Sequence, residues 1–205
     1  MILLGLSFSM ISCRRGESHG SGAATRDSTT VVVATRDTAW VAEFREMQDA
    51  FLHADTARVK KYFTFPIYSS EDEIWTVAEL SPDTSINGKD GGKLLSPFRE
   101  RDFDKGYGKL FTKEFVKGLS EVDVSRLVSA GASDHELPGT DSVHYSFMAS
   151  HDSSDQTLHF IVTTRYSLAS VKPSEQEETE FSLVGYTFTI MGGRSIRFKE
   201  VGIAD

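Results

Sequence analysis

Val143-His144-Tyr145-Ser146-Phe147-Met148-Ala149-Ser150 and Leu158-His159-Phe160-Ile161-Val162-Thr163-Thr164-Arg165-Tyr166 decide the fold of this chain. Both runs are rich in aromatic and β-branched residues, and both alternate in polarity. They flank the polar loop His151-Asp152-Ser153-Ser154-Asp155-Gln156. That combination predicts an antiparallel hairpin. Pairing Ser150 with Thr157 sets Phe147 opposite Phe160 and Tyr145 opposite Val162, which makes one face apolar. The other face then carries His144, Ser146, Met148, His159 and Thr163.

A second hairpin follows, Phe181–Ile190 and Ile196–Ile203, around Met191-Gly192-Gly193. A two-residue Gly-Gly turn would set Phe188 against Arg197. A three-residue turn sets Phe188 against Ile196 and Tyr186 against Phe198, and the pattern favours it, with Gly193 in the left-handed position. The acidic stretch Lys172–Glu180 between the hairpins reads as a solvated loop.

Upstream the period changes from 2 to 3.6. Trp40, Phe44, Met47 and Phe51 fall on one helical face, with Asp37 or Thr38 as the cap. Asp55 caps a shorter helix from Thr56 to about Phe63, which must end before Phe65-Pro66. His53, at the joint, reads as a polar surface residue. Ile67-Tyr68 and Ile74-Trp75-Thr76-Val77 predict one or two short strands. Ser96-Pro97 signals a helix start, Thr112 caps a helix through Phe115 and Leu119, and Asp123 caps one through Leu127-Val128 that stops near Gly131.

The expected fold is therefore α+β: N-terminal helices packed on a curved four- to five-stranded antiparallel sheet, a cone-shaped roll. The segment Phe51-Leu52-His53-Ala54-Asp55-Thr56-Ala57-Arg58-Val59-Lys60-Lys61-Tyr62-Phe63-Thr64-Phe65-Pro66 resembles the opening of the nuclear transport factor 2-like (cystatin-like roll) superfamily. The resemblance implies a helix, an Asp-capped helix and then a first strand. It also implies a conical interior that hosts either enzymes or plain binding modules.

The start of the chain speaks of location. Ile2–Ser12 is an apolar run ending at Cys13, the one cysteine of 205 residues. It is about half of the ~20 residues that span a bilayer, and it suits the apolar core of a secretory signal. Met10-Ile11-Ser12-Cys13 resembles the lipobox of bacterial lipoproteins. The resemblance implies a signal peptide over 1–12, lipid on Cys13, a Gly/Ser-rich tether over 13–36 and one domain over 37–205. The basic residues Arg14 and Arg15 follow the run rather than precede it, so the expected start lies upstream of Met1. Two or more acyl chains anchor stably where one does not. The expected place is the cell envelope, at a periplasmic or surface-facing membrane.

Composition narrows the chemistry. A net charge of −8 and a pI near 5.3 lack the basic footprint of a nucleic-acid binder. A single cysteine excludes an internal disulfide and a structural thiolate zinc site.

His135, His144, His151 and His159 invite a metal hypothesis, but the register separates His144 from His159 by four residues, roughly 14 Å. Asp83, Ser85, Asn87 and Gly88 copy positions 1, 3, 5 and 6 of an EF-hand loop, yet Leu94 stands at position 12 and Pro82 denies a leading helix. The expectation is no metal and no cofactor.

Within the resembled superfamily, isomerases place an Asp and a Tyr inside the cone. Tyr62, Tyr145, Tyr166, Tyr186 and Trp75 are the interior candidates here, with no ionisable residue bracketed by apolar neighbours on that face. No catalytic residue is assigned. The reading favours a non-catalytic, lipid-anchored module that binds a small molecule, a peptide or a protein. The alternative is a small-molecule isomerase or hydrolase working at the mouth of the cone.

Overall fold

A computed structural model describes residues 38–68, 72–82, 86–87, 93–94, 96–167 and 179–204. The expected signal peptide, Cys13 and the tether lie outside these residues, as do most of the EF-hand-like loop and of the acidic stretch 172–180. The helices are α1 (Trp40–Leu52), α2 (Thr56–Val59), α3 (Glu73–Val77), α4 (Glu100–Leu110), α5 (Lys113–Ser120) and α6 (Val124–Ala130), with a 3₁₀ turn at Lys60–Tyr62. The strands are β1 (Ile86–Asn87), β2 (Lys93–Leu94), β3 (Ala132–Leu137), β4 (Val143–Asp152), β5 (Thr157–Ser167), β6 (Thr179–Met191) and β7 (Ser195–Ala204). β1 and β2 pair with each other. β3 to β7 form an antiparallel sheet in chain order.

The α+β expectation holds. Helices α1 and α5 lie against one face of the five-stranded sheet, α5 over β4 and α1 over α5 and β7. That face contributes Phe147, Ala149, Leu158, Phe160, Tyr186, Phe188, Ile190 and Ile196, all buried. The helices answer with Trp40, Phe44, Met47, Phe51, Phe115 and Leu119.

Local chemistry explains most boundaries. Asp55 Oδ1 accepts the Arg58 amide at 3.1 Å and starts α2. Thr112 Oγ1 accepts the Phe115 amide, and Asp123 Oδ1 accepts those of Ser125 and Arg126. Gly131 ends α6 in the left-handed region at φ 79°. At α1 the Thr38 hydroxyl is not used as a cap, and Asp37, the other candidate, lies outside the described residues. Thr38 instead accepts the Val41 amide through its backbone carbonyl.

Three expectations are corrected. Ile74–Val77 is the body of helix α3, not a strand. A strand would point Ile74 and Trp75 to opposite faces, whereas the helix buries both, to 3% and 4% exposure. Trp75 packs edge-on to Phe98 with ring centroids 4.9 Å apart. Second, Ser96-Pro97 does not open a helix. Phe98 is fully buried and forms an extended bridge with Ile67, each donating its amide to the other's carbonyl at 2.9 Å. Helix α4 can begin only beyond it, where Asp102 Oδ2 caps the Arg99 amide at 3.0 Å. Third, both hairpins are shifted by two residues from the expected register. β4 and β5 run on to Asp152↔Thr157, so Phe147 pairs with Val162 and Ala149 with Phe160. β6 and β7 close at Met191↔Ser195 around Gly192-Gly193-Arg194, so Phe188 pairs with Phe198. A two-residue shift keeps the side chains of β4, β5 and β6, and of β7 as far as Phe198, on their expected faces.

A bulge between Thr187 and Phe188 then advances β7, setting Tyr186 opposite Val201 and Gly185 opposite Gly202. Strand β3, not singled out in the sequence, adds the fifth strand by pairing Ala132–Leu137 with Tyr145–Ser150.

Candidate functional site

Two places could carry chemistry: the interior between helices and sheet, and the outward face of the sheet. Among the described residues the interior is packed with aromatic rings. Phe115 lies within 4.4–6.3 Å, centroid to centroid, of Phe51, Phe111, Phe147, Phe160 and Tyr186. Phe63 lies 4.8 Å from both Phe103 and Phe198.

Of the five interior candidates, Tyr62, Tyr186 and Trp75 are buried, Tyr145 is half-buried and Tyr166 is exposed. Tyr186 Oη donates to the Leu110 carbonyl at 2.6 Å. That carbonyl belongs to the last residue of α4 and has no partner within its own helix. Burial pushes the Tyr186 hydroxyl well above the ordinary tyrosine range. Burial, reinforced by the carboxylates of Glu43 and Glu46, pushes Tyr62 up to about 12. Both are therefore protonated at neutral pH, and Tyr186 serves as a fixed donor within the fold. Tyr186→Phe should destabilise the protein by about 1–3 kcal/mol in urea unfolding, because it strands a buried carbonyl. A change within error would show that water or another group replaces the hydroxyl.

The buried carboxylate of Asp102 is likewise committed, as the cap of α4.

The four clustered histidines are dispersed. His135 Nε2 sits 3.6 Å from Glu121 Oε2, and its ring lies against Phe147. His151, in β4, packs on Trp40 with centroids 4.8 Å apart, beside a cavity of about 170 Å³. His144 is exposed, near the Arg165 end of the sheet. His159 pairs with Ser150, six residues from His144, which is about 20 Å along the strand. Among the described residues no group of three or more His, Cys, Asp or Glu could hold a metal ion. His53 is exposed, with Nδ1 3.1 Å from Asp49 Oδ1.

The outward face is built by strand alternation. Read across one row, it presents Asp134, Met148, Ile161, Gly185 and Gly202 from β3 to β7. The neighbouring rows are Ser150, His159, Thr187 and Glu200 on one side, and Glu136, Ser146, Thr163, Leu183 and Ala204 on the other. Beyond the second lie His144, Arg165 and Phe181. Met148 is 40% exposed and Phe181 52%.

A hollow of about 420 Å³ opens where Gly185 meets Gly202, walled by His159, Ile161, Leu183, Thr187 and Glu200. Neither glycine answers a packing demand. A Cβ on Gly185 would meet only Leu183 Cδ2 at 3.9 Å, and one on Gly202 only Glu73 Oε1 at 3.7 Å. What the two missing side chains create is the hollow itself.

His159 stands at its edge with Nε2 3.0 Å from Thr157 Oγ1 and Nδ1 3.3 Å from Thr187 Oγ1. A neutral imidazole satisfies both, donating at one nitrogen and accepting at the other. Glu73 Oε1 accepts the Ile203 amide and blunts the outer edge of β7.

The sequence reading placed His159 on this face but missed the hollow. Its signal was a glycine in the middle of each of two strands. Without the bulge at Thr187/Phe188, however, the two glycines do not face each other.

No family model, curated protein or solved structure matches this chain.

Proposed function

We propose that this chain is a binding module of the cell envelope, anchored through lipid on Cys13, that presents the outward face of its sheet to a protein partner. The observation that carries the reading is the contrast between the two faces. The inner face is filled with aromatic side chains, while the outer leaves Met148 and Phe181 in solvent and carries a glycine hollow between β6 and β7. The partly exposed Ile161 and Leu183 lie between Met148 and Phe181 on the same face, and a contiguous apolar patch rimmed by polar groups marks an interaction surface. The run Ile2–Ser12 before Cys13, with a Gly/Ser-rich stretch behind it, supports delivery of that surface to a membrane.

The face is tested with a photo-cross-linking amino acid at Met148, against a control at the exposed Lys105 of α4. Discrete protein adducts from position 148 and none from position 105 are expected. Equal or absent adducts would remove the reading. The anchor is tested separately: the membrane fraction should contain a diacylated N-terminus at Cys13, and Cys13→Ala should release the protein. An unmodified, soluble wild-type chain would refute it.

A further inference from the structure

We propose that the occupant of the outward face is a second copy of this chain, an inference that rests on the binding-module reading above. The charges on the face are arranged to complement themselves. Ile161 marks the centre of the middle strand. From it, the basic pair Arg165 and His144 lies along the strand direction, with Arg165 four residues away, about 14 Å. The acidic pair Asp134 and Glu136 lies across the strands instead, with Asp134 two strands away through Met148, about 10 Å. Two such faces stacked on a two-fold axis near Ile161, with strands crossing at near right angles, bring the basic arm of each copy over the acidic arm of the other.

Arg165, His144 and Glu136 have no ion-pair partner among the described residues, and all three are exposed. Asp134 is exposed as well, accepting from Arg126 at 2.9 Å through Oδ1.

The same rotation carries His159 of one copy toward the hollow at Gly185 and Gly202 of the other, beside Glu200. A flat ring, its two nitrogens held by Thr157 and Thr187, thus meets an open recess in the partner. An anionic membrane is a poor occupant, because Asp134, Glu136 and Glu200 sit on its rim. The contact is isologous, so each substitution acts twice.

The full chain in detergent is examined by sedimentation equilibrium at micromolar concentration. The wild type should be dimeric. Arg165→Glu and Asp134→Arg should each weaken self-association by about tenfold or more, and the combined Arg165→Glu/Asp134→Arg chain should recover it. Gly202→Leu, which fills the hollow where space is open, should dissociate the dimer while the circular dichroism of the fold is kept. A monomeric wild type would overturn the proposal, and so would a dimer indifferent to the charge reversals. Adducts from position 148 to a different protein, with a monomeric chain, would remove self-pairing and leave the binding-module reading standing. Loss of all adducts would remove both.

Discussion

Replacing Gly118 by leucine is expected to prevent folding at physiological temperature, and Gly118→Ala to lower stability by about 1–2 kcal/mol. Gly118 lies on the buried side of α5, where the helix crosses β4. A Cβ built on it overlaps the Phe147 ring and comes within 2.7 Å of Phe147 Cβ. Phe147 cannot move away freely, because its ring is held by Phe115 and Phe160 with centroids 6.0 and 6.2 Å distant. Overpacking of this kind costs about 1–3 kcal/mol for small additions and more for larger ones. Alanine regains roughly 1 kcal/mol of helix propensity over glycine, which sets the smaller net loss. Leucine has no such offset and must push α5 off the sheet.

The mechanism is separable from a general dislike of substitution. Phe147→Ala, which removes the Cγ and Cδ2 that such a Cβ meets, should cost stability alone, yet relieve part of the Gly118→Ala penalty when the two are combined. Urea midpoints for the four chains give that coupling. Strict additivity would show that the helix and strand are not in the close approach described.

The elements that could be read from sequence were those whose information is local. The helix caps at Asp55, Thr112 and Asp123 need only a side chain and an amide within three residues. The faces of β4, β5 and β6, and of β7 as far as Phe198, follow from alternation alone, and they survived a two-residue error in both hairpin registers. What failed required a distant partner. Ile74–Val77 has the composition of a strand, and only Phe98 and β7 make the helix the better burial. Ser96-Pro97 carries a sound local signal, overruled because Phe98 bridges to Ile67 across thirty-one positions.

The candidate site divides in the same way. His159 was placed correctly on the outward face by parity. The hollow beside it depends on the bulge at Thr187/Phe188, one skipped residue that no periodicity announces. Asp134 and Glu136 became part of the face only when β3 was seen to join the sheet.

Truncating Phe115 to alanine should be among the most costly single changes in the chain, about 3–5 kcal/mol. Total stabilities are only about 5–15 kcal/mol, so the variant should sit near the edge of folding. Phe115 is fully buried and joins the two halves of the interior. Phe51 and Phe111 come from the helical side, and Phe147, Phe160 and Tyr186 from the sheet. Its removal takes away contacts with both at once, and collapse is resisted because the neighbouring rings are themselves interlocked. The same substitution bears on function. If the interior is filled by aromatic side chains, wild-type stability should not respond to benzene or indole, whereas the Phe115→Ala cavity should bind them and regain several degrees of Tm. A wild-type protein stabilised by those molecules would mean that the interior retains space for a ligand. The function would then have to be sought between the helices and the sheet rather than on the outward face of the sheet.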